Sequence, residues 1–232
     1  MQDIGFDLIS DLHLAPDDSF NWEGKATSLY CLVAGNISSS LRTVVQTLSH
    51  LGRFYQGVFY VPGVLEYETA ESISKRTTEL IAITKAIPNV CMLHQHVVII
   101  DGIAVVGING WSNVGDSLTL ENLLPASARH EDVAYLYNAI GKLQKHLDIK
   151  KMIVVTGAVP HPDLYFGEKP DIVEDQIPLR DTLSSDTEHK VTHWVFGTYD
   201  KSADVVINNT NYVNNPYLKK NPYYAKRITL SV

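Results

Sequence analysis

A chain of 232 residues with 45% hydrophobic and 19% charged side chains can bury a full core, which excludes the disordered class. Its formal net charge of −7 disfavours a general binder of nucleic acid or membrane surfaces, because phosphate-rich partners demand basic faces. Cys31 and Cys91 are too few for a disulfide framework or a cysteine zinc site, and Cys31 sits in an apolar run that predicts a buried thiol.

The start, Met1-Gln2-Asp3, lacks the basic residues and apolar stretch of a signal peptide. No window approaches the ~20 apolar residues of a membrane span, so a soluble, cytoplasmic protein is expected. Residues 4–9, 29–34 and 58–61 read as buried strands, being short, β-branched or aromatic, and bounded by turn residues. Between the second and third, Leu41, Val44, Val45, Leu48 and Leu51 form the stripe of an amphipathic helix, with Gly52 as its C-cap. A second helix is predicted over 70–86, stopped by Pro88-Asn89. Asp101-Gly102, flanked by apolar runs at 97–100 and 103–106, is the strongest hairpin signal in the chain. A third helix is predicted over 131–147, with Val133, Leu136, Tyr137, Ile140, Leu143 and Leu147 on one face. Further strands are predicted at 152–156, 193–196, 205–207 and 224–230. No repeat, low-complexity tract or linker divides the chain, so residues 1–232 are expected to form one domain.

Loops that follow strands are where α/β proteins place their chemistry. The first such loop carries Ser10-Asp11-Leu12-His13, and a carboxylate two residues from an imidazole can address one metal. Four more blocks follow in order: Val33-Ala34-Gly35-Asn36-Ile37, Tyr60-Val61-Pro62-Gly63-Val64-Leu65-Glu66-Tyr67, Val154-Val155-Thr156-Gly157-Ala158-Val159-Pro160, and Trp194-Val195-Phe196-Gly197-Thr198-Tyr199-Asp200. Together these blocks, which span nearly the whole chain, resemble the calcineurin-like metallophosphoesterases, especially the small bacterial and phage phosphohydrolases. The resemblance implies an α/β fold: a four-layer αββα sandwich of two mixed β-sheets flanked by helices.

The family pattern is D-x-H, G-D, G-N-H-E/D, a histidine after the fourth strand, and G-H-x-H. It implies two metals bridged by an aspartate, which clamp a phosphate and turn a water into a nucleophile. Asp11 and His13 keep their identities here. Asn36 stands where the bridging aspartate would be, Val64 where an asparagine ligand would be, and Leu65 at the catalytic histidine. Gly157 replaces the next histidine, and Thr198 and Asp200 replace the closing pair. By this correspondence a first site would draw on Asp11, His13, Asn36 and Asp200, whose donors suit one Mn²⁺ or Mg²⁺. The second site, at Asn36, Val64, Gly157 and Thr198, has lost its charge and most of its donors. Leucine at 65 can neither donate a proton nor stabilise developing charge, and loss of one such group costs ~10²–10⁴-fold in rate.

No catalytic residue is therefore expected, and the leading reading is a pseudoenzyme that binds a protein partner and holds no cofactor. One alternative is a residual one-metal phosphodiesterase using Asp11, His13, Asn36 and Asp200. Another is a nucleic-acid binder using the Tyr- and Lys-rich stretch 208–224, with Lys219 and Lys220 as its phosphate contacts. Asp11 and His13 can equally be a buried hydrogen-bonded pair, and Val64 and Leu65 can simply fill a vacated cavity. Glu66, Glu68, Asp17 and Asp18 are read as solvated loop charges. His161 is expected on the loop beyond the fourth block.

Overall fold

Alternation along the first strand sets the layering. In β1 (Asp3–Ser10), Ile4, Phe6 and Leu8 face one way into an apolar layer, while Ile9 faces the other. β2 (Tyr30–Ala34) and β3 (Gly57–Val61) repeat the pattern, with Leu32, Ala34, Phe59 and Val61 on the first side and Cys31, Val33, Val58 and Tyr60 on the second. The structure, a computed structural model, describes residues 2–111, 126–165, 179–217 and 222–232.

The further strands are β4 (Val90–Met92), β5 (His96–Ile100), β6 (Ile103–Ile108), β7 (Lys151–Thr156), β8 (Val191–Phe196), β9 (Asp204–Ile207), β10 (Thr210–Val213) and β11 (Lys226–Ser231). They form a five-stranded sheet in the order β11-β1-β2-β3-β4 and a six-stranded sheet in the order β5-β6-β7-β8-β10-β9. Both sheets are mixed, since β11, β5 and β9 run antiparallel to their neighbours. Phe6, Leu8, Leu32, Val105, Ile153 and Val195 fill the layer between the sheets, each stabilising the fold by roughly 1.5–3 kcal/mol.

Helices α1 (Leu41–Leu51) and α2 (Ile73–Lys85) cover the outer face of the first sheet, and α3 (Ala126–Leu143) covers the second through Leu136 and Ile140. The result is the αββα sandwich that the resemblance implies. The predicted hairpin forms at Asp101-Gly102, both with positive φ.

Helix ends depart from expectation for local reasons. α2 begins at Ile73 because Ser72, in extended backbone, accepts the Lys75 N–H and caps it there. α3 ends at Leu143, so Leu147 falls beyond it and is 86% exposed. Gly52 ends α1 in right-handed backbone at φ −58°, without the left-handed turn a glycine cap usually supplies. Two strands were not predicted. β4 is only three residues long, and β10 is hidden in a polar stretch. The Asn208-Asn209 turn before β10, with both φ positive, is the hairpin signal that marks it. Among the described residues, no helix is long and apolar enough to cross a membrane.

Candidate functional site

β1, β2, β3, β7 and β8 end at Ser10, Ala34, Val61, Thr156 and Phe196, and the five blocks are the loops that follow them. Backbone bonds stitch the first three loops together: Asp11 N–H to Gly35 O, His13 N–H to Asn36 O, and Gly35 N–H to Val61 O. The second sheet approaches closely because a Cβ on Gly197 would lie 2.3 Å from Ala34 O. Residues from both sheets therefore meet at one point.

At the centre is Asp11, which is 3% exposed. Its Oδ1 accepts the Asn36 side-chain amide at 2.9 Å and the Thr198 backbone N–H at 2.8 Å, while Oδ2 is buried without a partner. Burial pushes the Asp11 carboxyl up to about 7, against the pull of those two hydrogen bonds. The Nε2 of His13 lies 4.0 Å from Asp11 Oδ1, beyond hydrogen-bond reach. Burial holds the His13 imidazole below its ordinary value, with Glu68 opposing.

The orientation of Asn36 decides what this centre can hold. Its Oδ1 accepts the Leu65 N–H at 3.0 Å, and its Nδ2 donates to both Asp11 Oδ1 and Thr198 Oγ1. The reversed amide would set oxygen against carboxylate and N–H against N–H, so the network permits one orientation. The atom that faces Asp11 is thus an NH₂ group, a donor where a bridging carboxylate would offer a lone pair. Thr198 Oγ1 in turn donates to Gly157 O. Asp11, His13, Asn36 and Thr198 all adopt positive φ, between 45° and 57°. For β-branched Thr198 this conformation is costly, and its three hydrogen bonds, to Asp11, Asn36 and Gly157, hold it in place.

Glu66 was expected on the solvated rim, and the structure corrects this. It is fully buried, and its carboxylate accepts the backbone N–H groups of Asn36 (3.2 Å), Ile37 (2.6 Å) and Gly63 (2.8 Å). Arg76 donates to its backbone carbonyl at 2.5 Å. Burial pushes its carboxyl up to about 7 despite the three donors. The signal for this role was present, because Glu66 occupies the acidic position of the G-N-H-E/D pattern. Glu68 is exposed, as expected.

Around Gly157 the packing leaves little room. A Cβ on Gly157 would lie 2.6 Å from Pro62 O and 3.1 Å from Asn109 O. Pro62, Val64, Asn109, Trp111, Gly157 and Thr198 enclose a residual cavity of only about 10 Å³, at the lower limit for one water. Trp111 packs edge-on to Tyr67 at 4.9 Å and closes one side. Gly157→Ala is accordingly expected to lower stability by about 2 kcal/mol, read as a reduced urea midpoint at unchanged slope. A histidine there would demand the same backbone shift.

Outside this packed centre lies an open cleft of about 410 Å³, lined by His13, Asn36, Val64, Leu65, Glu68, Thr198, Tyr199 and Asp200. All eight residues singled out at the site thus converge: six line the cleft, Asp11 lies beneath, and Gly157 lines the small cavity. Asp200 is an exposed rim residue. Tested against a metal, the donor set is poor. Asp11 Oδ2 is an unpartnered acceptor, but the Asn36 oxygen is used by Leu65, and no three His, Cys, Asp or Glu side chains group as metal ligands among the described residues. His161 is buried against Tyr212 at 5.6 Å and lines a separate groove. Of the tyrosines in 208–224, Tyr212 and Tyr223 are buried and Tyr224 is exposed. Lys219 and Lys220 lie outside the described residues.

The fold is that of the calcineurin-like phosphoesterases. It is similar to a phosphopantetheinyl hydrolase from Mycobacterium tuberculosis, with a TM-score of 0.67, 15% identity, and coverage of 97% of this chain and 96% of that one. A protein from Staphylococcus aureus, provisionally designated a 5′-nucleotidase, matches with a TM-score of 0.60 and 12% identity over 99% of this chain and 51% of that one. GAP50, the anchor in the inner membrane complex of Plasmodium, matches with a TM-score of 0.53 and 10% identity over 92% and 71%. At such identities the likeness establishes the fold alone. No family model and no curated protein sequence matches the chain.

Proposed function

We propose that this protein is a phosphoesterase fold that has given up two-metal hydrolysis and works as a binding module for a protein partner. The observation that carries the reading is the Asn36 side chain, whose NH₂ group is hydrogen-bonded to Asp11 and Thr198 where a bridging carboxylate would be needed. An N–H directed at the metal position repels a cation, and the neutral amide leaves a dication without the charge that offsets its desolvation. Leu65 adds to this, since it offers no proton to a leaving group. GAP50, which shares the fold, is described as an anchor, and this supports a scaffold role here.

The test is calorimetric titration with Mn²⁺ on the wild type and on Asp11→Ala, beside turnover of an activated phosphodiester. The expected result is no saturable binding at millimolar Mn²⁺ and no metal-dependent turnover in either protein. Saturable binding of one ion, lost in Asp11→Ala and accompanied by turnover, would overturn the reading in favour of a one-metal phosphodiesterase.

A further inference from the structure

The charge of the open cleft is inverted relative to what a phosphate requires. Its lining carries two carboxylates, Glu68 and Asp200, and neither lysine nor arginine. Phosphate recognition needs cationic or clustered N–H donors, so an anionic ligand entering here would meet like charge with only the His13 imidazole to offset it. Beneath the lining, Asp11 is almost wholly buried and keeps one oxygen without a partner, covered by His13, Asn36 and Thr198, which all line the cleft. His13, the one basic side chain in the lining, is 58% exposed and packs beside Glu68 and Asp11. The lining also holds Val64, Leu65 and Tyr199, beside Asn36 and Thr198.

Two carboxylates in a lining that also holds aliphatic and aromatic residues suit a long cationic side chain, whose stem is apolar and whose head is charged. We propose that the cleft is a docking site for an arginine or lysine side chain of a protein partner. Glu68 and Asp200 pair with its head, and Leu65, Val64 and Tyr199 pack along its stem. Arginine fits better than lysine, because a guanidinium offers five donors to carboxylates and is more weakly hydrated than an ammonium. The volume of about 410 Å³ accommodates one such side chain with its flanking backbone. The formal net charge of −7 steers a basic segment toward the protein as a whole. This inference rests on the non-hydrolytic reading above and identifies the chemistry of the partner it requires. It also gives the Leu65 substitution a use, since a leucine where a histidine would stand supplies apolar wall to the bound stem.

The test titrates isotope-labelled protein, in the presence of EDTA, with a capped peptide of leucine and glycine around one central arginine. The control peptide carries glutamate in place of the arginine. Saturable amide shifts concentrated at Val64, Leu65, Thr198 and Tyr199 are expected with the arginine peptide and not with the control. Combining Glu68→Gln with Asp200→Asn should weaken binding about 10-fold, as expected for losing two partly screened charge pairs. Glu188→Gln, which removes one negative charge from an exposed position outside the cleft, should leave it unchanged. Shifts scattered outside the cleft, an equal response to the glutamate peptide, or equal weakening by Glu188→Gln would overturn the proposal. So would the absence of any saturable shift at roughly 10 mM peptide, a limit that already corresponds to very weak binding. These results are separable from those of the metal titration. One-ion Mn²⁺ binding with turnover would remove the parent reading, whereas a silent arginine peptide with no metal binding would remove this inference alone.

Discussion

Glu66→Ala is expected to destabilise the protein by about 3–5 kcal/mol, a large fraction of the stability of an ordinary domain. Three buried backbone donors, on Asn36, Ile37 and Gly63, have Glu66 as their acceptor, and alanine leaves all three unpaired. The conservative Glu66→Gln should fall between alanine and wild type. Its one oxygen can replace Oε2, which accepts Asn36 and Gly63, but its NH₂ then opposes the Ile37 N–H. Urea denaturation followed by circular dichroism gives the order, and equal stability of alanine and wild type would exclude the clamp. The pH dependence has a definite sign. The folded Glu66 carboxyl is raised by burial to about 7 from an ordinary 4.5. Its contribution is fully present below the unfolded value and is lost as pH rises through about 7. Glutamine does not titrate, so the deficit of Glu66→Gln relative to wild type should shrink between pH 5 and pH 8.

Asn36→Asp should produce the second large effect, and in opposite directions with and without metal. The Asn36 amide nitrogen lies 2.9 Å from Asp11 Oδ1, so the substitution sets two buried carboxylates in contact. Without metal, repulsion should cost about 2–4 kcal/mol at pH 8 and recover at pH 5, where the pair shares a proton. With Mn²⁺ the same two carboxylates, beside His13, become a chelating set. A metal at 100 times its dissociation constant would then return ~2.7 kcal/mol. Thermal denaturation with Mn²⁺ and with EDTA reads both halves. A gain confined to the variant identifies position 36 as the residue that decides metal binding. An equal gain in the wild type would mean that the neutral amide is no obstacle, and the non-hydrolytic reading would fail.

Strands and layers were readable along the chain because burial imposes a period. Phe6, Leu8, Leu32 and Phe59 alternate with residues of the opposite face, and alternation survives any choice of partner strand. The αβ order of the first half, the Asp101-Gly102 hairpin and the five glycine-containing or polar loops after strands were local signals of the same kind. The identities at 36, 64, 65 and 157 also stood in the sequence, so their departure from the family pattern was visible before any geometry.

Other features depend on distances between residues far apart in the chain, and a sequence does not contain those. Composition alone makes Glu66 a loop carboxylate, and its clamp exists only once the loops after β2 and β3 meet and supply three N–H donors. Asn36 has an oxygen that suits a cation, and only the Leu65 N–H, 29 residues away, turns that oxygen aside and leaves the NH₂ facing Asp11. Gly157 could stand in an open or a closed site, and the closed outcome follows from Pro62 O, which reaches it from the other sheet. The sequence by itself determined the layered fold and the departures from the family pattern, because periodicity and residue identity are properties of the chain. Tertiary structure alone decided that the ground around Gly157 is tightly packed while the ground around Leu65 opens into an acidic, partly apolar cleft, because packing and charge sum over residues that only folding brings together.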